Sequence, residues 1–174
     1  MAEKIRVLLS EQEVEKRVLE VAAQVSQDYQ GKMPHLICIL KGGVFFMCEL
    51  AKRLTVPVSM DFMYVSSYGS GTESSGEVKI VKDLDEPVEG RDVLIVEDII
   101  DSGRTLSHLI RILQERKPAS IRLCTLLDKP ERRVKKEVMV DYTCFTVPDE
   151  FVVGYGLDYD QKYRNLPYIG VIEQ

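Results

Sequence analysis

Glu97-Asp98-Ile99-Ile100-Asp101-Ser102-Gly103-Arg104-Thr105 sets three carboxylates beside a hydroxyl-rich turn. Ser102, Gly103 and Thr105 can build a turn whose backbone N–H groups converge on an anion, with a helix starting behind it. Gly103 permits a backbone conformation that a Cβ would resist. The start of the helix adds partial positive charge. Glu97 and Asp98 are adjacent acids, which repel unless a cation or hydrogen-bond donors stand nearby. Together these groups call for a ligand carrying phosphate and either hydroxyls or a metal. A solvated strand end is the plain alternative for Asp98 alone, but it does not account for Glu-Asp-x-x-Asp joined to Ser-Gly-x-Thr. No G-x-x-x-x-G-K-[ST] occurs in the chain, and no G-x-G-x-x-G follows a strand, so the turn is of another kind.

An apolar run must place these groups. Val93-Leu94-Ile95-Val96 reads as a strand buried on both faces, as in a parallel sheet. The acids then lie at its carboxyl end, where open α/β sheets bind ligands. A helix from about 104 to 116 follows, ended near Pro118. His35 to Leu40 reads as a second buried strand, Lys41-Gly42-Gly43 as a turn, and 44–54 as a helix. Ser10-Glu11-Gln12-Glu13 is a capping box ahead of a helix with Val14, Val18, Val21, Ala22 and Val25 on one face, stopping near Gly31. Val56, Val58, Met60, Phe62 and Tyr64 alternate as in a strand. Residues 77–82 and 121–127 read as further strands, and 142–147, 151–153 and 168–172 as shorter ones. Residues 66–76 (SSYGSGTESSG) have almost nothing to bury and read as a mobile loop. Tyr68 among the small residues favours a lid over plain disorder. The strand–helix–strand order with an antiparallel addition predicts an α/β fold with a mostly parallel central sheet flanked by helices.

The 174 residues suit one domain, and the net charge of −5 disfavours nucleic-acid binding, which rests on basic surface. No stretch reaches the ~20 apolar residues of a membrane span, and Met1-Ala2-Glu3-Lys4-Ile5-Arg6 lacks the apolar core of a signal peptide. A cytoplasmic setting is expected. Cys38, Cys48, Cys124 and Cys144 form no C-x-x-C pair, so buried free thiols are expected rather than zinc ligands.

Residues 93–106 resemble the phosphoribosyl pyrophosphate signature of type I phosphoribosyltransferases, including the strand, both acids, Asp101 and the Ser-Gly-Arg-Thr turn. The hypoxanthine-guanine phosphoribosyltransferases, in their short bacterial form, are matched more widely. Leu40-Lys41-Gly42-Gly43, Asp61-Phe62, Ser67-Tyr68, Leu126-Leu127-Asp128-Lys129, the segment 148–159 and Tyr163-Arg164 all fit.

The resemblance implies the type I fold over residues 1–174 as one domain, with a small hood from the terminal segments and a mobile lid at about 66–76. It implies purine salvage: hypoxanthine, with guanine, displaces pyrophosphate from 5-phosphoribosyl 1-pyrophosphate in the presence of Mg²⁺, giving IMP and GMP. Glu97 and Asp98 would hold the ribose hydroxyls, directly or through the metal, and the turn Asp101, Ser102, Gly103, Arg104 and Thr105 the 5′-phosphate. Asp101 would be the general base at purine N7; a helix N-cap is its bland alternative. Lys129 would donate to the purine O6, Phe151 would stack on the ring, and backbone groups of Val152 and Asp158 would read its edge. Exposed loop and core packing are the rival readings for Lys129 and Phe151. Asp158 would also ligate a second Mg²⁺. Lys41, Gly42 and Arg164 would bind pyrophosphate, and Ser67 and Tyr68 would belong to the lid. In the family the bond matching Leu40–Lys41 can be cis. A homodimer or homotetramer is implied. A nucleotide-sensing regulator of the same fold and a transferase preferring xanthine are the alternatives.

Overall fold

The computed structural model describes residues 2–67 and 78–173. Its main sheet has six strands in the order β4-β3-β2-β5-β6-β7. These are β2 (His35–Leu40), β3 (Ser59–Ser67), β4 (Val78–Lys82), β5 (Asp92–Ile100), β6 (Ser120–Asp128) and β7 (Tyr142–Thr146). All neighbours pair in parallel except β3 with β4. The predicted mostly parallel α/β sheet is therefore present, antiparallel addition included.

Strand β5 explains its own composition. Leu94 and Val96 enter the core beneath α1 (Glu11–Asp28) and α2 (Val44–Arg53), while Val93 and Ile95 enter the core beneath α3 (Arg104–Glu115). A strand covered on both faces needs apolar residues in sequence rather than alternation. Helix α1 starts where expected, with Ser10 accepting from the Glu13 N–H at 3.2 Å, and buries its valine stripe. Gly31 stands just beyond its end with φ +78°.

Successive crossovers run outward from β2 on one side and from β5 on the other. The order reverses between these two strands, and the carboxyl ends there frame the crevice that such sheets use for ligands.

Two features depart from the sequence reading. Lys4–Leu9 forms a strand, β1, that the sequence does not advertise. It pairs antiparallel with β9 (Ile169–Glu173), which also pairs with β8 (Val152–Val153), making a second three-stranded sheet. In β3 the alternation is real, but Asp61 and Met63 are buried while Met60 and Tyr64 face out. No helix among the described residues is long and apolar enough to cross a membrane.

Candidate active site

The register of β2 on β5 sets Cys38 opposite Val96, so the Lys41–Gly43 turn runs beside Glu97 and Asp98. The approach is close enough that a Cβ on Gly42 would overlap the Asp98 carboxylate. The Leu40–Lys41 peptide bond is cis. Asp98 Oδ1 accepts from the Ile99 N–H at 2.7 Å. Burial, and then the neighbouring Asp98 carboxylate, pushes Glu97 well above the usual carboxylate range. Burial also raises Asp98, partly offset by the Ile99 N–H. Two acids held this way favour a bound cation or hydroxyl donors, as the sequence suggested.

Behind them, residues 101–106 curl round a hollow of about 190 Å³ lined by Glu97, Asp101, Ser102, Gly103 and Thr105. Gly103 has φ +79° and caps α3 without a side-chain hydrogen bond, so Asp101 is not the N-cap. Ser102 Oγ accepts from the Arg104 N–H at 3.3 Å. The turn is braced from behind, since Ser102 O accepts from the N–H groups of Val134 (3.0 Å) and Lys135 (3.1 Å).

A second cleft, about 510 Å³, opens beside it and is shared by Asp98, Asp101, Lys129, Phe151, Val152 and Asp158 among others. Lys129 follows β6 but is not an exposed loop lysine: it is 7 % exposed, and its ammonium donates to Glu150 O at 2.7 Å. Phe151 is not core, being 53 % exposed and edge-on to Tyr159 with ring centroids 5.6 Å apart. Both rival readings therefore fail on burial, in opposite directions.

Arg164 stands beside Asp158 at the edge of that cleft. Its Nη1 donates to Gly156 O at 2.7 Å, and its Nη2 lies 3.3 Å from Asp158 Oδ1 and 3.2 Å from Gln161 Oε1. Its Nε is buried with no hydrogen-bond partner among the described residues. Lys41 Nζ also reaches Gln161 Oε1, at 3.4 Å. Asp158 Oδ2 accepts from the Gln161 N–H at 2.9 Å. Among the described residues no three His, Cys, Asp or Glu side chains gather as a complete metal site. Mg²⁺ needs no such cage, since it takes one or two carboxylates plus water and substrate oxygens.

Of the two residues expected in a lid, Tyr68 lies outside the described residues. Ser67 ends β3, and its side chain is outside them too. The sequence reading missed Arg132 and Arg133, which follow Lys129 in the run Lys-Pro-Glu-Arg-Arg. Arg132 Nε donates to Asp101 Oδ1 at 2.5 Å. Arg133 donates from Nε to Asp101 O at 3.2 Å and pairs with the Asp128 carboxylate. A doubled arginine after a site lysine was the available signal, a weak one because charged loops are common.

Residues 6–160 match the phosphoribosyl transferase domain model. A hypoxanthine-guanine phosphoribosyltransferase of Bacillus subtilis (strain 168) is 56 % identical over 168 residues, 97 % of this chain and 93 % of that protein. The one from Streptococcus thermophilus (strain CNRZ 1066) is 53 % identical over 169 residues, again 97 % and 93 %. A crystal structure of a hypoxanthine phosphoribosyltransferase from Staphylococcus aureus superposes with a TM-score of 0.94 at 50 % identity, covering 97 % of this chain and 91 % of that one. With matches this close over nearly its whole length, the chain belongs to the phosphoribosyltransferase family, in its hypoxanthine-guanine branch.

Proposed function

We propose that the chain transfers the 5-phosphoribosyl group from 5-phosphoribosyl 1-pyrophosphate to hypoxanthine and guanine, making IMP and GMP with release of pyrophosphate. The observation that carries this reading is the junction of two hollows at Ile99 and Asp101. One is an anion turn flanked by acids. The other offers an aromatic face and a buried ammonium.

The turn at 101–105 binds the 5′-phosphate through its backbone N–H groups and hydroxyls. Glu97 and Asp98 orient the ribose hydroxyls, and Arg164, Lys41 and the Gly42 backbone take the pyrophosphate. Glu97, Asp98 and Asp158 are the carboxylates for Mg²⁺, which supplies charge neutralisation on the leaving pyrophosphate. Phe151 stacks on the purine. Lys129, a donor with no acceptor, selects a 6-oxo over a 6-amino group. Asp101 accepts the N7 proton as N9 bonds to C1′, and nearby carboxylates stabilise the positive charge that develops on the ribosyl group. Ser67 and Tyr68 close over the centre, excluding water that would compete with the purine.

A nucleotide-sensing regulator needs the phosphate turn but has no use for the base cleft of Lys129, Phe151 and Asp158. We further propose that the chain works as one domain with the β1-β9-β8 sheet as its hood, in the cytoplasm. A homodimer or homotetramer is proposed from the apolar side chains Met60, Tyr64 and Val81 that β3 and β4 leave exposed. Initial rates with hypoxanthine, guanine, xanthine and adenine, at saturating phosphoribosyl pyrophosphate and Mg²⁺, test the activity. Turnover of the first two and not of adenine is expected. Faster turnover of xanthine would shift the assignment to that base, and no turnover with any base would defeat it.

A further inference from the structure

The 3₁₀ turn Pro130–Arg132 borders the base cleft, yet the roles given above leave its arginine unused. We infer that Arg132 is a positioning residue for the transfer: its guanidinium fixes the Asp101 carboxylate and ties it to the base-side segment at Asp149. The inference rests on the reading of Asp101 as the group that takes the purine proton.

Arg132 Nε lies 2.5 Å from Asp101 Oδ1, while Nη1 of the same guanidinium lies 3.3 Å and 3.5 Å from the two Asp149 oxygens. Asp101 belongs to the phosphate turn, and Asp149 precedes the stacking ring of Phe151. One planar group therefore spans both halves of the site. The side chains of Arg132, Asp101 and Asp149 are each about half exposed, at 50 %, 48 % and 50 %. Ion pairs this wet contribute little to stability, so folding does not account for the arrangement. Geometry does, because a guanidinium donates in a fixed fork, and two acceptors on it are held at a set angle that an ammonium would not impose.

Holding Oδ1 stops the carboxylate from rotating and leaves Oδ2 to accept the proton. Arg133 holds the same residue from the other side, through the Asp101 carbonyl and the Asp128 carboxylate. Its side chain is 13 % exposed and packs beneath Gly103, where an added Cβ would lie 3.1 Å from Arg133 Cδ. Arg133 thus frames the backbone, and Arg132 sets the reacting oxygen. A base must be held close to its productive geometry to work, which gives such a residue leverage on rate rather than on affinity.

Steady-state kinetics of Arg132→Ala, Arg132→Lys and Asp149→Asn, with Asp101→Asn as reference, test this with hypoxanthine and phosphoribosyl pyrophosphate each varied. Arg132→Ala should lower kcat about tenfold, a part of the ~10²–10⁴-fold that a placed base contributes. KM for phosphoribosyl pyrophosphate should stay within about twofold, the pattern of a group acting in the transition state. Arg132→Lys should recover little of the loss, because an ammonium keeps the charge but not the fork, and Asp149→Asn should add little on top of Arg132→Ala. Unchanged kcat in Arg132→Ala, beside a strongly slowed Asp101→Asn, overturns the positioning role alone. So does a loss confined to KM for the base. Full turnover by Asp101→Asn overturns the assignment of Asp101 and the positioning role with it.

Discussion

Lys129 illustrates how far a single residue's meaning depends on its surroundings. In the sequence it is a lysine after a strand, and such lysines usually point into water. In the fold its ammonium is buried against Glu150 O, next to the exposed ring of Phe151. A buried ammonium needs acceptors, and a purine O6 entering the cleft would supply another. A hydrogen bond to a charged donor is worth about 1.5–3 kcal/mol. Lys129→Ala should therefore cut kcat/KM for hypoxanthine by roughly 10–100-fold, and preference over adenine should fall with it. Parallel kinetics with the two bases check this, and identical values to the parent would sink the O6 role. Asp101, Glu97 and Asp98 were legible as a contiguous motif. Arg132 was not, because its importance lies in a partner 31 positions away.

Among the strands, β1 was hidden in the sequence. Lys-Ile-Arg-Val-Leu-Leu is short and one-third charged, and it becomes a strand because β9, from the other end of the chain, pairs with it. Just before it, Glu3 accepts from Lys162 Nζ at 2.7 Å and from the Tyr163 hydroxyl, so the N-terminal segment is tied to the loop that carries Arg164. The Lys162 hydrogen bond, and then that of Tyr163, lowers the Glu3 pKa from 4.5 to about 2. A depressed folded pKa contributes stability above the unfolded pKa and loses it as pH falls toward the folded one. Glu3→Gln should therefore melt below the parent protein at neutral pH, with the gap closing as pH drops from about 4.5 toward 2. Thermal melts across that range check it; a gap independent of pH would mean the carboxylate charge is not what matters. Strands β2, β5 and β6 and helices α1 and α3 were legible because each carries its own periodicity or apolar run.

For the molecule as a whole, the layering of helices on a sheet decides which cysteines meet solvent. All four are free, but the expectation of buried thiols holds for Cys38, Cys124 and Cys144 and fails for Cys48, which lies on the outer side of α2. Burial pushes the Cys38 and Cys144 thiols up to about 12 and raises Cys124 well above the usual thiol range, so they stay protonated and unreactive near neutral pH. A thiol reagent added to the native protein should label Cys48 fast and the other three only on unfolding, as mass spectrometry of the labelled peptides would show. Rapid modification of Cys124 would contradict the packing. The sequence alone settled the parallel α/β plan, the acids at the end of β5 and the turn that follows them, because short-range periodicity and turn chemistry lie in consecutive residues. The folded chain was needed to set Gly42 against Asp98, to bury Lys129, to expose Phe151, to join the two termini in one sheet and to bring Arg132 onto Asp101. Those contacts link distant segments whose meeting depends on strand order and register, and no local pattern of residues encodes either.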